Sequence, residues 1–320
     1  MEGIMVGVFG TEPETKSAFE SSIAKKSEAE GITVFNRVEA GRRYSFLDTS
    51  DYPDRIQGYS RVASISDHAL YLFPKSGRLS APDGELAVLL GSLGLPGSLE
   101  LMDGSVTPET AASALRGTTV ATYHVEERSS VSAAIDLSSA GTRQDWPTKG
   151  TMVYVDRSFS VKGVGTVALG FVLAGAISIH NQLRAIPGPD GQEIDVKGIQ
   201  VNDVDVETVG RGIRVGLSLR GVEAKDLERS HWLDDGSFTL TDNLMFRFAK
   251  SPFYRQEVTG RDLHLQLPGE ILPASLSDGG PGLVKASLPA PVPVWNGLKA
   301  AVIDLNGKAL RIAGGATLVL

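Results

Sequence analysis

The sequence VDRSFSVKGVGTVALG at residues 155–170 joins two runs of β-branched residues through closely spaced glycines. β-Branched residues favour strands, and glycine tolerates the backbone conformations of tight turns. Similar runs predict strands at residues 152–156, 165–173, 176–186, 193–201 and 213–219. Gly188-Pro189-Asp190-Gly191 predicts a hairpin turn between two of them. Short strands with glycine corners predict a small closed barrel.

A different pattern precedes this barrel. Between residues 4 and 137, short apolar runs alternate with stretches whose apolar residues recur at helical spacing. This alternation is typical of strand–helix–strand units around a parallel sheet. We predict strands at residues 4–9, 43–47, 68–73, 98–102 and 118–123, and helices at residues 15–30 and 85–93. Thr107-Pro108 predicts another helix, because threonine caps a helix start and proline suits the first helical position.

A second all-β run begins near Phe238, with strands predicted at residues 263–267, 283–288, 299–304 and 310–320. We therefore predict three domains, at residues 1–145, 146–235 and 236–320. The predicted fold class is a multidomain protein in which an α/β domain is followed by two all-β barrel domains.

The composition excludes several classes of site. The chain has no cysteine, which excludes disulfides, cysteine-bound zinc and thiol nucleophiles. The histidines have no partners at helical spacing, so we expect no histidine-built metal site. A net charge of −7 argues against indiscriminate binding to nucleic acid, and DNA is not an expected partner.

The chain shows no sign of export or of membrane insertion. Its first residues have neither a basic region nor a long apolar stretch, so no signal peptide is expected. The longest apolar stretch, residues 167–179, contains Gly170 and Gly175 and is too short to span a bilayer. We therefore expect a cytoplasmic protein without a membrane partner.

Residues 155–170 resemble the opening of the second domain of elongation factors of the EF-Tu type, and especially of the selenocysteine-specific factor. The similarity continues in order through residues 199–201, 212–217 and 220–229. Residues 289–292 and 310–315 look like the third domain of the same family. The resemblance implies a translational GTPase architecture, in which the α/β domain is a P-loop GTPase domain.

The resemblance places a phosphate-binding loop at GTEPETKS, residues 10–17. Gly10, Lys16 and Ser17 keep the register of the motif GxxxxGK[ST]. Thr15 replaces the second glycine, and its Cβ crowds the approach of the backbone to a phosphate. Pro13 removes one N–H donor. The loop is therefore predicted to be degenerate.

Two carboxylates, those of Glu12 and Glu14, weaken the same loop further. At about 6 Å and an effective dielectric constant near 20, each would repel one phosphate charge by roughly 3 kcal/mol before screening. We therefore predict that the front domain binds a nucleoside triphosphate poorly.

The other nucleotide-contacting motifs of the family are also altered. The second switch, Asp-x-Pro-Gly-His, is replaced by DTSDY at residues 48–52, so its glycine becomes Asp51 and its water-positioning histidine becomes Tyr52. The guanine-reading Asn-Lys-x-Asp becomes ELMD at residues 100–103. The resemblance thus implies a degenerate GTPase domain without a catalytic residue. Its residual nucleotide-site positions are Gly10, Lys16, Ser17, Asp48 and Asp103.

In the family, the second domain receives the aminoacyl end of tRNA. The resemblance implies that such a pocket is formed here by Asp156, Arg157, Phe159, Leu169, Gln200 and Arg214. Two guanidinium groups near one pocket can bind a phosphate or a carboxylate through paired hydrogen bonds. The alternative is that both arginines pair with local carboxylates such as that of Asp156.

The resemblance implies a pseudo-GTPase that binds tRNA, the ribosome or another translation factor, with no cofactor and no bound metal. The alternative is an elongation factor that still binds GTP, holds magnesium on Ser17 and Asp48, and hydrolyses GTP slowly or with a partner. A purely structural subunit without an RNA role is a third hypothesis.

Overall fold

The computed structural model describes residues 1–23, 31–39, 41–129, 137, 140, 141, 143, 145–189 and 191–320. Among these residues, no helix is both long enough and apolar enough to cross a membrane.

The front domain is an α/β domain built on one six-stranded sheet, as predicted. Its strand order is β2-β3-β1-β4-β5-β6; β2 and β3 are antiparallel, and the other neighbours are parallel. The strands are β1 (Gly3–Phe9), β2 (Thr33–Glu39), β3 (Arg42–Asp48), β4 (His68–Leu72), β5 (Gly97–Met102) and β6 (His124–Arg128). The helices are α1 (Pro13–Ile23), α2 (Ile56–Ile65), α3 (Ala81–Ser92) and α4 (Pro108–Ala114).

Local hydrogen bonds explain where these helices begin. Thr107 caps α4 as predicted, since its side chain accepts from the N–H of Thr110. Ser80 forms a reciprocal capping box with Asp83 at the start of α3, so α3 begins earlier than predicted. The part of the predicted first helix beyond residue 23 lies outside the described residues.

The strand predicted at residues 118–123 is wrong. Residues Thr119–Thr122 form a 3-10 helix, and the strand β6 follows it. The N–H and the hydroxyl of Thr118 both donate to the carbonyl of Leu115, at 3.0 and 2.8 Å. These bonds extend the turn at the end of α4, and they override the β propensity of the threonines and valine.

The first barrel closes through six strands. Their order is β10-β15-β7-β8-β14-β11, and β10 also pairs with β11. The elements are β7 (Met152–Val161), β8 (Gly165–Ala174), β9 (Ala176–Ser178), β10 (Gln182–Ile186), β11 (Ile194–Val201), β12 (Val204–Val206), β13 (Thr208–Gly210), β14 (Arg214–Arg220), the short helix α5 (Ala224–Leu227) and β15 (Trp232–Asp234). The predicted strand at residues 176–186 is split into β9 and β10 by a turn in which His180 has a φ of 68°. The predicted hairpin turn at residues 188–191 does join β10 to β11, although Asp190 lies outside the described residues.

The second barrel is also closed, in the order β16-β19-β18-β17-β20-β21. Its strands are β16 (Thr239–Lys250), β17 (Arg261–Leu267), β18 (Glu270–Asp278), β19 (Leu283–Val294), β20 (Lys299–Ile303) and β21 (Ile312–Leu318). The predicted fold class is therefore confirmed, whereas the residue boundaries of the three domains stay a prediction.

One continuous apolar core joins the front domain to the second barrel. Phe9 and Tyr59 belong to the same buried cluster as Leu265 and Ile303. Most of the first barrel has a separate core, in which Leu217 is fully buried. The front domain and the second barrel are thus packed as one body.

Candidate functional site

The counterpart of the phosphate loop is short. Only three residues, Gly10, Thr11 and Glu12, separate β1 from α1. The N–H of Lys16 donates to the carbonyl of Glu12 at 3.0 Å, so this donor already serves the helix. A phosphate cradle needs consecutive N–H groups that point at the anion. The early start of α1 therefore removes a donor that such a cradle would use.

Lys16 is held by protein groups. Its Nζ lies 2.8 Å from Oδ1 of Asp48 and donates to the carbonyl of Thr49 at 2.6 Å. The ammonium group also lies 5.1 Å from the centre of the Tyr59 ring. Asp48 is only 4% exposed, so Lys16 neutralises a buried carboxylate. The structure thus brings two predicted nucleotide-site residues together, but as a pair with each other.

Other contacts fix the short loop in place. The hydroxyl of Tyr59 donates to the carbonyl of Gly10 at 3.1 Å, and Thr11 donates to the carboxylate of Asp83 at the start of α3. Burial raises the pKa of Tyr59, and the charge of Asp48 raises it further, so this hydroxyl remains a donor. The loop is therefore anchored to α2 and α3.

The space in front of α1 is acidic. A cavity of about 690 Å³ there is lined by Glu12, Glu14 and Lys75, among other residues. The side chain of Glu12 accepts from the N–H of Lys75 at 3.1 Å and from the hydroxyl of Thr15 at 3.0 Å. Ser17 is exposed on α1. The geometry agrees with the electrostatic argument from the sequence, because both carboxylates lie beside this cavity.

The counterpart of the guanine-reading motif is also engaged in contacts within the protein. Asp103 pairs with Lys75 at 2.8 Å, and the hydrogen bond from Lys75 holds the pKa of this carboxyl below its usual value. Glu100 is fully buried and accepts from Ser98 at 2.7 Å and from Arg128. Burial raises the pKa of Glu100, and Arg128 opposes that rise. Glu100 thus belongs to a buried ion pair of the sheet.

The segment that corresponds to the second switch contacts the second barrel. The hydroxyl of Tyr52 donates to the carbonyl of Pro82 at 2.6 Å and lies 3.2 Å from Oε2 of Glu85. Arg311, from the second barrel, bonds the same carboxylate at 3.1 Å and the carbonyl of Pro53 at 3.1 Å. Burial raises the pKa of Tyr52, as does the neighbouring carboxylate of Glu85. Tyr52 is therefore a neutral donor in a domain interface.

These residues do not fit a guanine nucleotide with magnesium. The lysine is paired with Asp48, the loop is acidic, and the retained aspartate Asp103 is paired with a lysine. Among the residues that the structure describes, no group of three or more histidine, aspartate and glutamate side chains is placed to hold a metal ion.

The first barrel carries a cavity of about 470 Å³ where the aminoacyl pocket was predicted. Phe159, Leu169 and Gln200 line it. Arg214 lies in a smaller neighbouring cavity of about 140 Å³ with Leu169 and Gln200, and it pairs with Asp156 at 3.1 Å. The alternative that an arginine pairs locally is therefore the one observed for Arg214. The role of these residues as an aminoacyl pocket stays a prediction.

Arg157 is exposed on β7, where it is the register partner of Leu169. It therefore lies next to a residue that lines the cavity. Sequence reasoning missed two acidic residues of this cavity, Asp203 and Asp205. The signal that could have found Asp203 is Asn202-Asp203, a pair typical of a tight turn in which both residues have positive φ, 51° and 62°.

No protein-family model matches the chain. It is 24% identical over 315 residues to an uncharacterized protein of Methanocaldococcus jannaschii, and the match covers 98% of this chain and 99% of that protein. It is also 40% identical over 125 residues to the selenocysteine-specific elongation factor of the same organism. That match covers 38% of this chain and 26% of the factor.

Solved structures resemble the whole chain. Elongation factor SelB from Methanococcus maripaludis, in complex with the GTP analogue GPPNHP, superposes with a TM-score of 0.81 at 18% identity, covering 100% of this chain and 79% of SelB. A bacterial selenocysteine-specific factor, EF-Sec, superposes with a TM-score of 0.82 at 18% identity, covering 99% of this chain and 58% of EF-Sec. The chain therefore has the fold of the selenocysteine-specific elongation factors, and its resemblance to that family of translational GTPases is confirmed.

Proposed function

We propose that the chain is a cytoplasmic, elongation-factor-like binding protein that engages aminoacyl-tRNA, the ribosome or another translation factor without a GTP cycle. The observation that carries this proposal is the pairing of Lys16 with Asp48 and Thr49. Lys16 would have to break its nearly buried ion pair with Asp48 before it could bind a phosphate.

Direct contacts between α2 and the second barrel support the proposal. Ser60 donates to Oε1 of Gln266 at 2.6 Å, and Ser64 accepts from the N–H of Gly269 at 2.9 Å. Arg61 pairs with Glu270 at 3.0 Å. These bonds, all between protein groups, hold the segment after the second-switch counterpart against the barrel. A binding protein without a GTP cycle needs only one fixed arrangement of its domains.

The cavity of the first barrel suits an apolar group. Phe159, Val161, Val164, Val167 and Leu169 form its apolar walls. Phe159, Val161 and Val164 are 37%, 36% and 41% exposed, which is unusual for large apolar side chains clustered at one place. An apolar ligand that covered them would be stabilised by the area removed from water.

The polar groups of the same cavity suit an aminoacyl ester. Asp203 and Asp205 line it beside Gln200, whose amide nitrogen donates to Asp205 at 2.8 Å. A free α-amino group has a pKa near 8 and is mostly cationic at neutral pH, so it can pair with a carboxylate. Arg214, in the neighbouring cavity, is paired with Asp156. We therefore propose an aminoacyl group with an uncharged, apolar side chain.

An electrophoretic shift assay with aminoacylated and deacylated tRNA tests the proposal. We expect a stronger shift for the aminoacylated form, and the same shift with and without GTP and magnesium. Val164→Asp places a charge in the apolar wall and should weaken the shift by about tenfold or more. Val38→Asp is the matched control, since Val38 is 61% exposed on β2 and does not line the cavity.

Two results would contradict the proposal. One is a shift that needs GTP, which would favour the alternative of a GTP-dependent factor. The other is the absence of any complex with tRNA, ribosomes or translation factors, the last two tested by co-sedimentation and pull-down.

A further inference from the structure

A further cavity, the cationic cavity, lies between the front domain and the second barrel, and it shares no residue with the altered nucleotide site. Its volume is about 370 Å³. The front domain contributes Val88 and Gly91 of α3 and the turn at Thr118, while the barrel contributes β16, β20 and β21. The cavity is therefore built at the contact of two domains, a common location for ligand sites.

The charge of this cavity is positive. Arg247, Lys250 and Lys299 line it, and none of its described lining residues is acidic. Such a local excess stands out in a chain whose net charge is −7. Clustered cations with no facing carboxylate repel one another unless an anion lies between them.

The nearest carboxylates do not neutralise this cluster. Arg247 is exposed on β16, and no ion pair is found for it in the described part of the chain. Lys250 lies 3.4 Å from Glu257, but that carboxylate side chain is 83% exposed, so the pair is weak. The nearby carboxylate of Asp145 accepts from Nε of Arg143 at 2.9 Å and also from Nη2 of Arg143, so Asp145 already has a close cationic partner.

The shape of the cavity depends on glycines and on one aromatic ring. A Cβ at Gly94, whose φ is 58°, would meet Nζ of Lys299, and a Cβ at Gly315 would overlap the carbonyl oxygen of Ser92. Side chains at these positions would therefore displace the lysine or separate the two domains. Phe253 is 47% exposed at the same cavity and presents an apolar, planar surface.

We propose that this cavity binds a small phosphorylated molecule, with its phosphate on Arg247 and Lys299 and an apolar or planar group against Phe253. Arginine forms paired hydrogen bonds with phosphate, and lysine adds a point charge. The volume suits a ligand of about the size of a nucleotide. Because both domains line the cavity, the bound molecule would hold them together. The proposal does not rest on a role in translation.

Isothermal titration of the full chain with inorganic pyrophosphate and with adenosine 5′-diphosphate tests it. We expect both probes to bind, and Arg247→Ala and Lys299→Ala each to weaken binding by about tenfold or more. Ala249→Glu adds a carboxylate to the wall without removing a cation and should weaken binding similarly. Lys285→Ala removes the same charge from an exposed site on β19 and should leave affinity unchanged.

A thermal shift provides a second readout. Saturating adenosine 5′-diphosphate should raise the melting temperature of the wild type and of Lys285→Ala, but not that of Ala249→Glu. The proposal is overturned if neither probe binds the wild type. It is also overturned if the three cavity variants bind as tightly as the wild type, or if only Lys16→Ala abolishes binding, which would place the phosphate in the front domain.

Discussion

Lys16 occupies the register of a phosphate-binding lysine, yet its partners are Asp48 and Thr49. The side chains of Lys16 and Asp48 are 16% and 6% exposed, so their attraction is only partly screened. A residue that keeps the sequence motif has thus taken a structural role. This structural role can be measured as a contribution to the free energy of unfolding.

Lys16→Ala should lower the free energy of unfolding by about 3 kcal/mol, because Asp48 would remain buried without its cation. The measurement is urea denaturation followed by circular dichroism. Lys75→Ala is the control: Lys75 pairs with Asp103, but those side chains are 35% and 43% exposed, so the loss of stability should be much smaller. Equal effects of the two substitutions would contradict the structural role of Lys16.

His68 makes stability depend on pH. It is 2% exposed on β4, and burial lowers its pKa from 6.5 to about 4. The unfolded chain therefore takes up a proton at a higher pH than the folded chain. The stabilisation from neutral His68 is complete above pH 6.5, and roughly 3 kcal/mol is lost as the pH falls toward 4.

His68→Gln should flatten the decline in unfolding free energy between pH 6.5 and 4. His124→Gln should not, because the side chain of His124 is 68% exposed. Denaturation curves at half-unit pH steps provide the comparison. An unchanged pH dependence for His68→Gln would show that the pKa of His68 is the same in the folded and the unfolded protein.

At the residue scale, the sequence predicted those features that depend on near neighbours. The cap at Thr107 is an example, because its partner is three residues away. The pairing of Arg214 with Asp156 was one of two open alternatives. The partner of Lys16 lies 32 positions along the chain, and only the packing of β1 against β3 brings the two together.

At the scale of elements, α2 is the helix on which the interface with the second barrel depends. Gln266 is fully buried, accepts from Ser60 at 2.6 Å and donates to Ser64 at 3.2 Å. Buried polar groups that lose a partner cost more than the bond itself was worth. This interface is therefore sensitive to a single side chain.

Gln266→Ala should lower the free energy of unfolding by about 2–3 kcal/mol, since it leaves the buried hydroxyls of Ser60 and Ser64 without this partner. Gln182→Ala is the control, because Gln182 is exposed and bonds only weakly to Asp195 at 3.3 Å. Hydrogen exchange of the α2 amides should rise in the first variant only. Unchanged exchange in α2 would mean that this network does not hold the helix.

The elements that sequence reasoning missed lack the signals on which it relies. β2 carries Asn36, Arg37 and Glu39 at the sheet edge, so its apolar pattern is interrupted. α2 begins after Arg55, which makes no side-chain cap. β18 contains Pro273, and a proline within an apolar run argues against a strand in sequence-based prediction. Tertiary pairing determines these three elements.

At the scale of the whole molecule, one buried ion pair ties the front domain to the first barrel. Asp67 is fully buried and accepts from Nη1 of Arg211 at 3.1 Å. It also accepts from the N–H groups of Met5 and Arg143, at 3.0 and 3.1 Å. The guanidinium of Arg211 lies 4.8 Å from the Trp146 ring.

Arg211→Met should destabilise the protein by about 3–5 kcal/mol, because Asp67 would stay buried without its cation. Arg220→Met is the control, since the side chain of Arg220 is 73% exposed in its pair with Asp195. Small-angle X-ray scattering should show a larger radius of gyration for Arg211→Met only. A compact, equally stable Arg211→Met protein would contradict this link between domains.

The three-domain fold could be predicted because one ordered resemblance, beginning at residues 155–170, covered a whole barrel. At the nucleotide site, the sequence predicted the loss of nucleotide contacts but not the protein contacts that replace them. The substitutions at residues 12–15 indicated an acidic, crowded loop, whereas the start of α1 at Pro13 and the pairing of Lys16 depend on three-dimensional packing. The cationic cavity combines residues from distant strands and could not be predicted from any motif.

We predict that the front domain does not bind guanine nucleotides. Isothermal titration with GTP and a non-hydrolysable analogue in excess magnesium tests it, using a chain that carries Arg247→Ala and Lys299→Ala so that the cationic cavity does not contribute. We predict no binding at micromolar nucleotide. Micromolar affinity that is abolished by adding Lys16→Ala would contradict this prediction.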